Sequence, residues 1–90
     1  MKNTDNYIKV NKVELDIIKK VTDLETDLFT LEQLNDKKHI IIFDKLEKAL
    51  ELDELIKDIY IYKGFDIKYN LTEFGRICEK LIDKLYEILK

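Results

Sequence analysis

The sequence is poor in the residues that build most catalytic and metal sites. It contains one cysteine, Cys78, one histidine, His39, and two glycines, Gly64 and Gly75. A single cysteine cannot form an intrachain disulfide, and with one histidine it cannot supply the ligands of a zinc site. Two isolated glycines do not make a phosphate-binding loop, and no nucleophile motif is present. We therefore expect no enzymatic activity, no cofactor and no metal.

Long apolar runs are also lacking. The longest uninterrupted one is Ile40-Ile41-Ile42-Phe43, which is far too short for a transmembrane helix or for the apolar core of a secretory signal. The single cysteine fits a reducing compartment. These features predict a cytoplasmic protein with no membrane partner.

The composition is that of one small globular domain. The 90 residues are 46% hydrophobic and 39% charged, so the chain has enough apolar residues for a core. We expect a single domain over residues 1–90, with a polar and disordered segment at 1–6. A domain of this size buries only about 60–65% of the surface that its unfolded chain exposes, so a second copy would help to stabilise it.

The charge is acidic overall and unevenly distributed. The net charge is −3, and residues 22–36 carry five acids and no base. DNA affinity comes largely from neutralising phosphates, so a domain without a dominant basic face should bind DNA weakly unless a dimer combines two patches.

The first helix is predicted by apolar residues that recur at spacings of three and four. These apolar residues are Val10, Val13, Ile17, Val21 and Leu24. Their spacing predicts an amphipathic helix over residues 11–24. Thr30 followed by Gln33 forms a capping-box pattern that predicts a short helix over residues 31–35, preceded by a short strand at Leu28-Phe29.

The segment from Asp36 to Leu52 carries two conflicting signals. Phe43, Leu46 and Leu50 have helical spacing, whereas the β-branched run Ile40–Ile42 favours a strand. The adjoining Lys-Leu-Glu-Lys-Ala-Leu-Glu sequence favours the helix, which we take as the prediction.

Two alternating segments predict a β-hairpin after this helix. Residues 56–62 and 65–69 alternate between apolar and polar side chains, and Lys63-Gly64 between them has the character of a turn. Aromatic side chains are frequent in both segments, where we expect cross-strand packing.

The stretch from Tyr69 to Arg76 predicts a capped corner that opens a last helix. Thr72 is suited to an N-cap and Glu73 places negative charge at the positive end of the helix dipole. Gly75 in the first turn costs about 0.5–1 kcal/mol relative to alanine, so we expect another backbone or ring to approach it closely.

This corner carries a family resemblance. The pattern Tyr-x-Leu-Thr-x-x-Gly-Arg at residues 69–76, after two predicted strands, resembles the junction between wing and last helix in winged-helix transcriptional regulators, particularly the HxlR, PadR and MarR groups. The resemblance is strongest over residues 55–89. It implies a mainly α fold with a small β-wing, a winged helix-turn-helix with a long C-terminal helix, and a homodimer that binds double-stranded DNA in transcription regulation.

The last helix is expected to serve as a dimerisation helix over residues 71–90. Its apolar residues form a seam with coiled-coil-like spacing and a second flank beside it. We expect one side to pack on the first helix and the other on a second copy. The expected dimer interface is Phe74, Cys78, Leu81, Ile82, Leu85, Ile88 and Leu89. For Cys78, a buried small hydrophobe is favoured over a redox-sensing thiol.

The DNA contacts implied by the resemblance are basic residues of the predicted recognition helix and wing. They are Lys37, Lys38, His39, Lys45, Lys48, Lys63 and Lys68. For His39, a solvated histidine at a helix start is favoured over a phosphate contact. Asp44, Glu47 and Glu51 share the recognition helix and would lie near phosphates. The alternative function is a winged-helix protein-interaction module that binds a partner through Ile40–Ile42 or the wing and not DNA.

Overall fold

The structure is a computed structural model that describes residues 6–22, 27–68 and 70–89. Three helices accompany one three-stranded antiparallel sheet, which confirms the predicted mainly helical fold with a small sheet. The elements in chain order are β1 Tyr7–Asn11, α1 Lys12–Val21, β2 Thr30–Gln33, β3 Lys38–Ile42, α2 Leu46–Lys63 and α3 Glu73–Leu89.

The sheet has the order β1-β3-β2, with both outer strands antiparallel to β3. Ile41 at the centre of β3 lies opposite Ile8 on one side and Leu31 on the other. The ladder extends to Asn6, whose carbonyl oxygen accepts a hydrogen bond of 2.8 Å from the Phe43 N–H. Asn6 thus lies just before β1, and the rest of the segment expected to be disordered lies outside the described residues.

Helix α1 begins where the sequence predicts. The Asn11 side chain accepts a hydrogen bond from the Glu14 N–H at 2.8 Å, and Glu14 accepts one from the Asn11 N–H at 2.9 Å. This reciprocal capping box fixes the turn from β1 into the helix. The helix ends at Val21, and the Thr22 hydroxyl and N–H both donate to the Ile18 carbonyl. Residues 23 and 24, the predicted helix end, lie outside the described residues.

The predicted helix over residues 31–35 is wrong. Thr30–Gln33 is strand β2, because Asn35 turns the chain back onto β3. The Asn35 side-chain oxygen accepts hydrogen bonds from the N–H groups of Lys37 and Lys38, at 2.8 and 2.9 Å. An asparagine that bonds to the backbone two residues on forms a turn and competes with the helix.

The predicted helix from Asp36 to Leu52 is wrong over its first part. Residues Lys38–Ile42 form β3, as the rejected strand signal of Ile40–Ile42 indicated, and α2 begins only at Leu46. Residues 38–42 form a strand and not a helix because Ile41 is fully buried between two partner strands. β-Branched side chains pack well on such a surface.

The predicted hairpin over residues 56–69 is also wrong. Residues 56–63 continue helix α2, with Ala49, Leu52 and Ile56 fully buried along one side. The Lys63-Gly64 pair ends this helix instead of joining two strands, and the Gly64 N–H donates to the Tyr60 carbonyl oxygen at 2.7 Å. Of the second predicted strand, only an isolated bridge between Phe65 and Leu71 is present among the described residues, and Tyr69 lies outside them.

The corner before α3 has the predicted cap. The Thr72 hydroxyl accepts a hydrogen bond of 3.0 Å from the Gly75 N–H and donates one of 3.0 Å to the Gly64 carbonyl oxygen. The expected close approach to Gly75 is confirmed, and the approaching group is the Gly64 carbonyl. Helices α2 and α3 are thereby joined at one tight contact and pack against each other along their length.

The core lies between one face of the sheet and the helices. Each buried leucine or isoleucine contributes about 1.5–3 kcal/mol. The buried apolar cluster comprises Ile8, Val10, Leu15, Ile17, Ile18, Ile41, Phe43, Ala49, Leu52, Ile56, Cys78, Leu81 and Leu85. All three helices and two of the three strands contribute to it, and β2 does not.

Candidate interaction surface of the sheet

The two faces of the sheet have different surroundings. Side chains alternate between faces along a strand, and Ile8, Val10 and Ile41 turn inward to the core. Ile40 and Ile42 turn the opposite way, are only half-buried and do not belong to the core cluster. We call the outward surface formed by Tyr7, Ile40, Ile42, Lys9, Thr30 and Glu32 the open sheet face.

The open sheet face has an apolar centre and a polar rim. The register places Lys9 and Glu32 on either side of Ile40. It places Tyr7 and Thr30 on either side of Ile42. An apolar centre within a polar, solvent-accessible rim is the general arrangement of protein interfaces.

The outer edge of β1 is closed by helix α3. The Lys84 ammonium group donates to the Lys9 carbonyl oxygen at 2.7 Å and to the Glu14 carboxylate at 2.8 Å. The same carboxylate accepts the Asn11 N–H. Glu14 is only 3% exposed in its side chain, so this buried charge is compensated by an ion pair and a backbone hydrogen bond. The Lys9 carbonyl oxygen, which points away from β3, is therefore already paired with a side chain of α3.

The outer edge of β2 is open. All four of its residues are exposed. Because the Leu34 N–H bonds to the Lys38 carbonyl at 2.9 Å, the alternation of an antiparallel ladder points the peptide groups of Leu31 and Gln33 away from β3. Among the described residues, nothing hydrogen-bonds to those outward peptide groups. The strand also has no proline or lysine, two residues that commonly protect sheet edges.

The residues predicted to contact DNA do not share one surface. Lys37 lies in the β2–β3 turn, while Lys38 and His39 belong to β3. Lys45 and Lys48 lie at the start of α2, and Lys63 at its end. An 18-residue helix is about 27 Å long, so Lys63 is separated from the first pair by its whole length. Lys68 follows in the α2–α3 loop.

Acidic side chains lie among these lysines. Lys48 forms an ion pair with Asp44 at 3.3 Å and also donates to the Asp27 carbonyl oxygen at 2.9 Å. Four acids on α2 are exposed, and they are Glu47, Glu51, Glu54 and Asp58. This mixture of charges weakens any attraction of α2 for phosphates.

His39 is half-buried in the centre of the sheet, between Val10 and Gln33. Its Nδ1 atom is buried without a hydrogen-bond partner. A solvated histidine at a helix start, the favoured expectation, is therefore wrong because His39 lies in a strand, and its buried Nδ1 atom is poorly placed to contact a phosphate.

Three of the residues expected at a dimer interface lie inside the protomer. Cys78, Leu81 and Leu85 have no exposed surface, so they have none to offer a second copy. Burial raises the pKa of the Cys78 thiol, which agrees with the expected small buried hydrophobe. The remaining four are half-buried around the core, and they are Phe74, Ile82, Ile88 and Leu89.

A groove between α2 and α3 forms a surface concavity of about 540 Å³. Its polar side chains already pair with each other. The Tyr60 hydroxyl donates to Glu79 at 2.7 Å, and this bond raises the pKa of Tyr60. Lys57 pairs with Asp53 at 2.9 Å, which raises the pKa of Lys57. The groove therefore offers few unpaired polar groups to a ligand.

Sequence reasoning named Ile40–Ile42 as a possible partner surface but missed the strands that frame it. The Asn35-Asp36 pair between two apolar stretches was the available signal for the β2–β3 turn. The alternation of Ile8 and Val10 with polar neighbours was the signal for β1.

Within residues 6–22, 27–68 and 70–89, no group of three or more acidic, histidine or cysteine side chains could hold a metal ion. In the same part of the chain, no helix combines the length and apolar character needed to span a bilayer. Comparison with known proteins finds no matching family model, no matching curated protein and no matching solved structure.

Proposed function

We propose that this chain is a protein-interaction module that binds a protein partner through the open sheet face and the adjoining edge of β2. The observation that supports this proposal is that Ile40 and Ile42 are only half-buried, at the centre of a sheet face outside the core. Burying such β-branched side chains against a partner removes apolar surface from water, which is the main favourable term in protein association.

The DNA-binding winged-helix regulator implied by the resemblance is the competing proposal. The hairpin that the resemblance takes as the wing is replaced over residues 56–63 by helix α2, and Lys45 and Lys48 at the start of α2 would be left to approach the phosphates. The acids of α2 and the pairing of Lys48 with Asp44 oppose it. We favour the interaction module because its surface is continuous, whereas the basic residues are dispersed.

A pair of tyrosines allows a matched test of the open sheet face. Tyr7 is 37% exposed and lies on the open sheet face, and Tyr62 is 82% exposed near the end of α2. Each is replaced by the photocrosslinking residue p-benzoylphenylalanine, and the irradiated adducts formed in expressing cells are identified by mass spectrometry. We expect protein adducts from position 7 and few from position 62, although the second site is more exposed.

The same protein is tested with fluorescein-labelled duplex DNA by fluorescence anisotropy at low ionic strength, where phosphate contacts are strongest. We expect no binding. Binding that is weakened by Lys45→Gln or Lys48→Gln, together with no adducts from position 7, would overturn the interaction module in favour of the regulator.

A further inference from the structure

We propose that the groove between α2 and α3 is a second docking site, and that it binds a basic amphipathic helix of a partner protein. The groove has a volume of about 540 Å³ and is lined by Lys57, Tyr60, Ile61, Glu79, Ile82 and Asp83. Both of its helices lie outside the open sheet face, which is built from the three strands. This inference goes beyond the proposed function and does not depend on it.

Helix α2 carries more apolar surface than the protomer buries. One side of the helix packs on the core. Leu46, Leu50, Lys57 and Ile61 follow one another at spacings of four, seven and four residues and so share a second side. The three apolar members of this row are 45%, 47% and 73% exposed. A helix that is apolar on more than one side is normally buried on more than one side, so this row is suited to cover by a partner.

Helix α3 supplies the other side of the groove. Ile82 is half-buried there, and Tyr86, one turn later, is 61% exposed. The polar groups of the groove bond to one another, as Tyr60 does to Glu79, so apolar contact is what holds a ligand. An apolar groove between two packed helices fits the apolar side of an amphipathic helix.

The charge of the groove favours a basic partner. Lys57 is neutralised by the buried Asp53 carboxylate at 2.9 Å. Glu79 accepts a hydrogen bond from the neutral Tyr60 hydroxyl, and within the described residues neither Glu79 nor Asp83 forms an ion pair. Two carboxylates therefore remain uncompensated beside apolar surface, which favours lysine or arginine on the partner. The same charges disfavour two copies docked groove to groove, because like charges would face each other.

The first experiment uses a fluorescein-labelled peptide of about 18 residues, long enough to form a helix. It contains alanine, leucine and lysine at amphipathic helical spacing, and its control has glutamate in place of lysine. By fluorescence anisotropy we expect the full chain to bind the lysine peptide at least about tenfold more tightly than the glutamate peptide. Equal binding of the two, or no binding of the lysine peptide, would overturn the proposal.

Matched variants separate the groove from the general acidity of the chain. Asp83→Lys reverses a charge in the groove, and Asp16→Lys makes the same change at an exposed position of α1. Ile61→Ser removes an exposed apolar side chain of the groove, and Val13→Ser, 52% exposed on α1, is its control. We expect each groove variant to weaken binding of the lysine peptide by at least about fivefold, and each control to change it by less than about twofold. Equal effects of the groove variants and their controls would contradict the proposed site.

Amide NMR spectra of the isotope-labelled chain locate the bound peptide. We expect the largest shift changes at Tyr60, Ile61 and Ile82, which line the groove, and little change at Ile40 and Ile42 on the open sheet face. The opposite distribution would place the peptide on the sheet and rule out the groove. Analytical ultracentrifugation tests the other occupant. A wild-type dimer that Ile61→Ser abolishes would assign the groove to a second copy instead of a basic helix.

Discussion

The carbonyl oxygen of Gly64 lies against the backbone of Gly75, so the only two glycines of the chain meet where α2 gives way to α3. Thr72 closes the contact, since both its N–H and its hydroxyl donate to that oxygen, at 2.9 and 3.0 Å. The close approach explains a glycine in the first turn of a helix, where alanine is normally preferred.

Gly75→Ala should therefore destabilise the protein, opposite to the usual effect in a helix. An added Cβ would clash with the Gly64 carbonyl oxygen and lie 2.7 Å from a Leu71 methyl carbon. We expect a loss of about 1–3 kcal/mol in the free energy of unfolding, measured by urea denaturation. Arg76→Ala, at the exposed next position, is the control and should change stability little. A Gly75→Ala protein as stable as wild type would contradict the backbone contact.

Lys84→Met should destabilise the protein because it leaves the buried Glu14 carboxylate without its ion-pair partner. The Lys9 carbonyl oxygen loses its hydrogen bond at the same time. The expected loss is about 1–3 kcal/mol by urea denaturation. Lys80→Met removes an exposed lysine one turn earlier on α3 and is the matched control. Equal effects of the two variants would show that the Lys84 contacts contribute nothing specific.

The α2–α3 loop should change with pH through Asp66. Its carboxylate accepts hydrogen bonds from the N–H groups of Asn70 and Lys68, at 2.9 and 2.8 Å. These bonds, the Asn70 one first, hold the pKa of Asp66 below its ordinary value of 3.8. A lowered pKa in the folded protein means that this stabilisation is complete above the ordinary pKa and is lost as the pH falls through the lowered one.

We expect the NMR amide signals of Lys68 and Asn70 to stay constant as the pH falls to the ordinary carboxyl pKa of 3.8. They should shift only in stronger acid. In Asp66→Ala the acid transition of these amides should disappear. A transition that starts well above the ordinary pKa would contradict the two hydrogen bonds.

The Cys78 thiol should be unreactive in the folded protein. It is fully buried, and burial raises its pKa, so both access and the thiolate fraction are low. With the disulfide reagent DTNB we expect almost no colour from the native protein and one equivalent in denaturant. Rapid reaction of the native protein would instead support a redox-sensing thiol.

Local signals predicted the helices that carry their own caps. Asn11 and Thr72 bond to the first turns of α1 and α3, and each helix has a clear apolar stripe on the core side. The part of helix α2 after Leu52 was missed because the apolar residues of α2 lie on all sides, including the exposed Leu50, Ile61 and Tyr62. Residues 56–62 of α2 alternate as in a strand, but they are helical because α2 packs on α3.

The candidate surface was only partly predictable. Ile40–Ile42 is visible in the sequence as an apolar run, and its role as a partner surface could be named. Which edge of the sheet is open depends on Lys84, which reaches the Lys9 carbonyl from 75 residues away. No local pattern contains that information, because the contact exists only once α3 packs beside β1.

The long sequence separation between Lys9 and Lys84 also has a consequence for synthesis. Until α3 has left the ribosome, the outer edge of β1 lacks its cover, and a nascent chain has two unprotected sheet edges. Limited proteolysis of ribosome complexes stalled before Lys84 should cut readily near β1, and release of the complete chain should protect that site. Helix α3 thus covers the edge of β1 only after most of the domain has been synthesised.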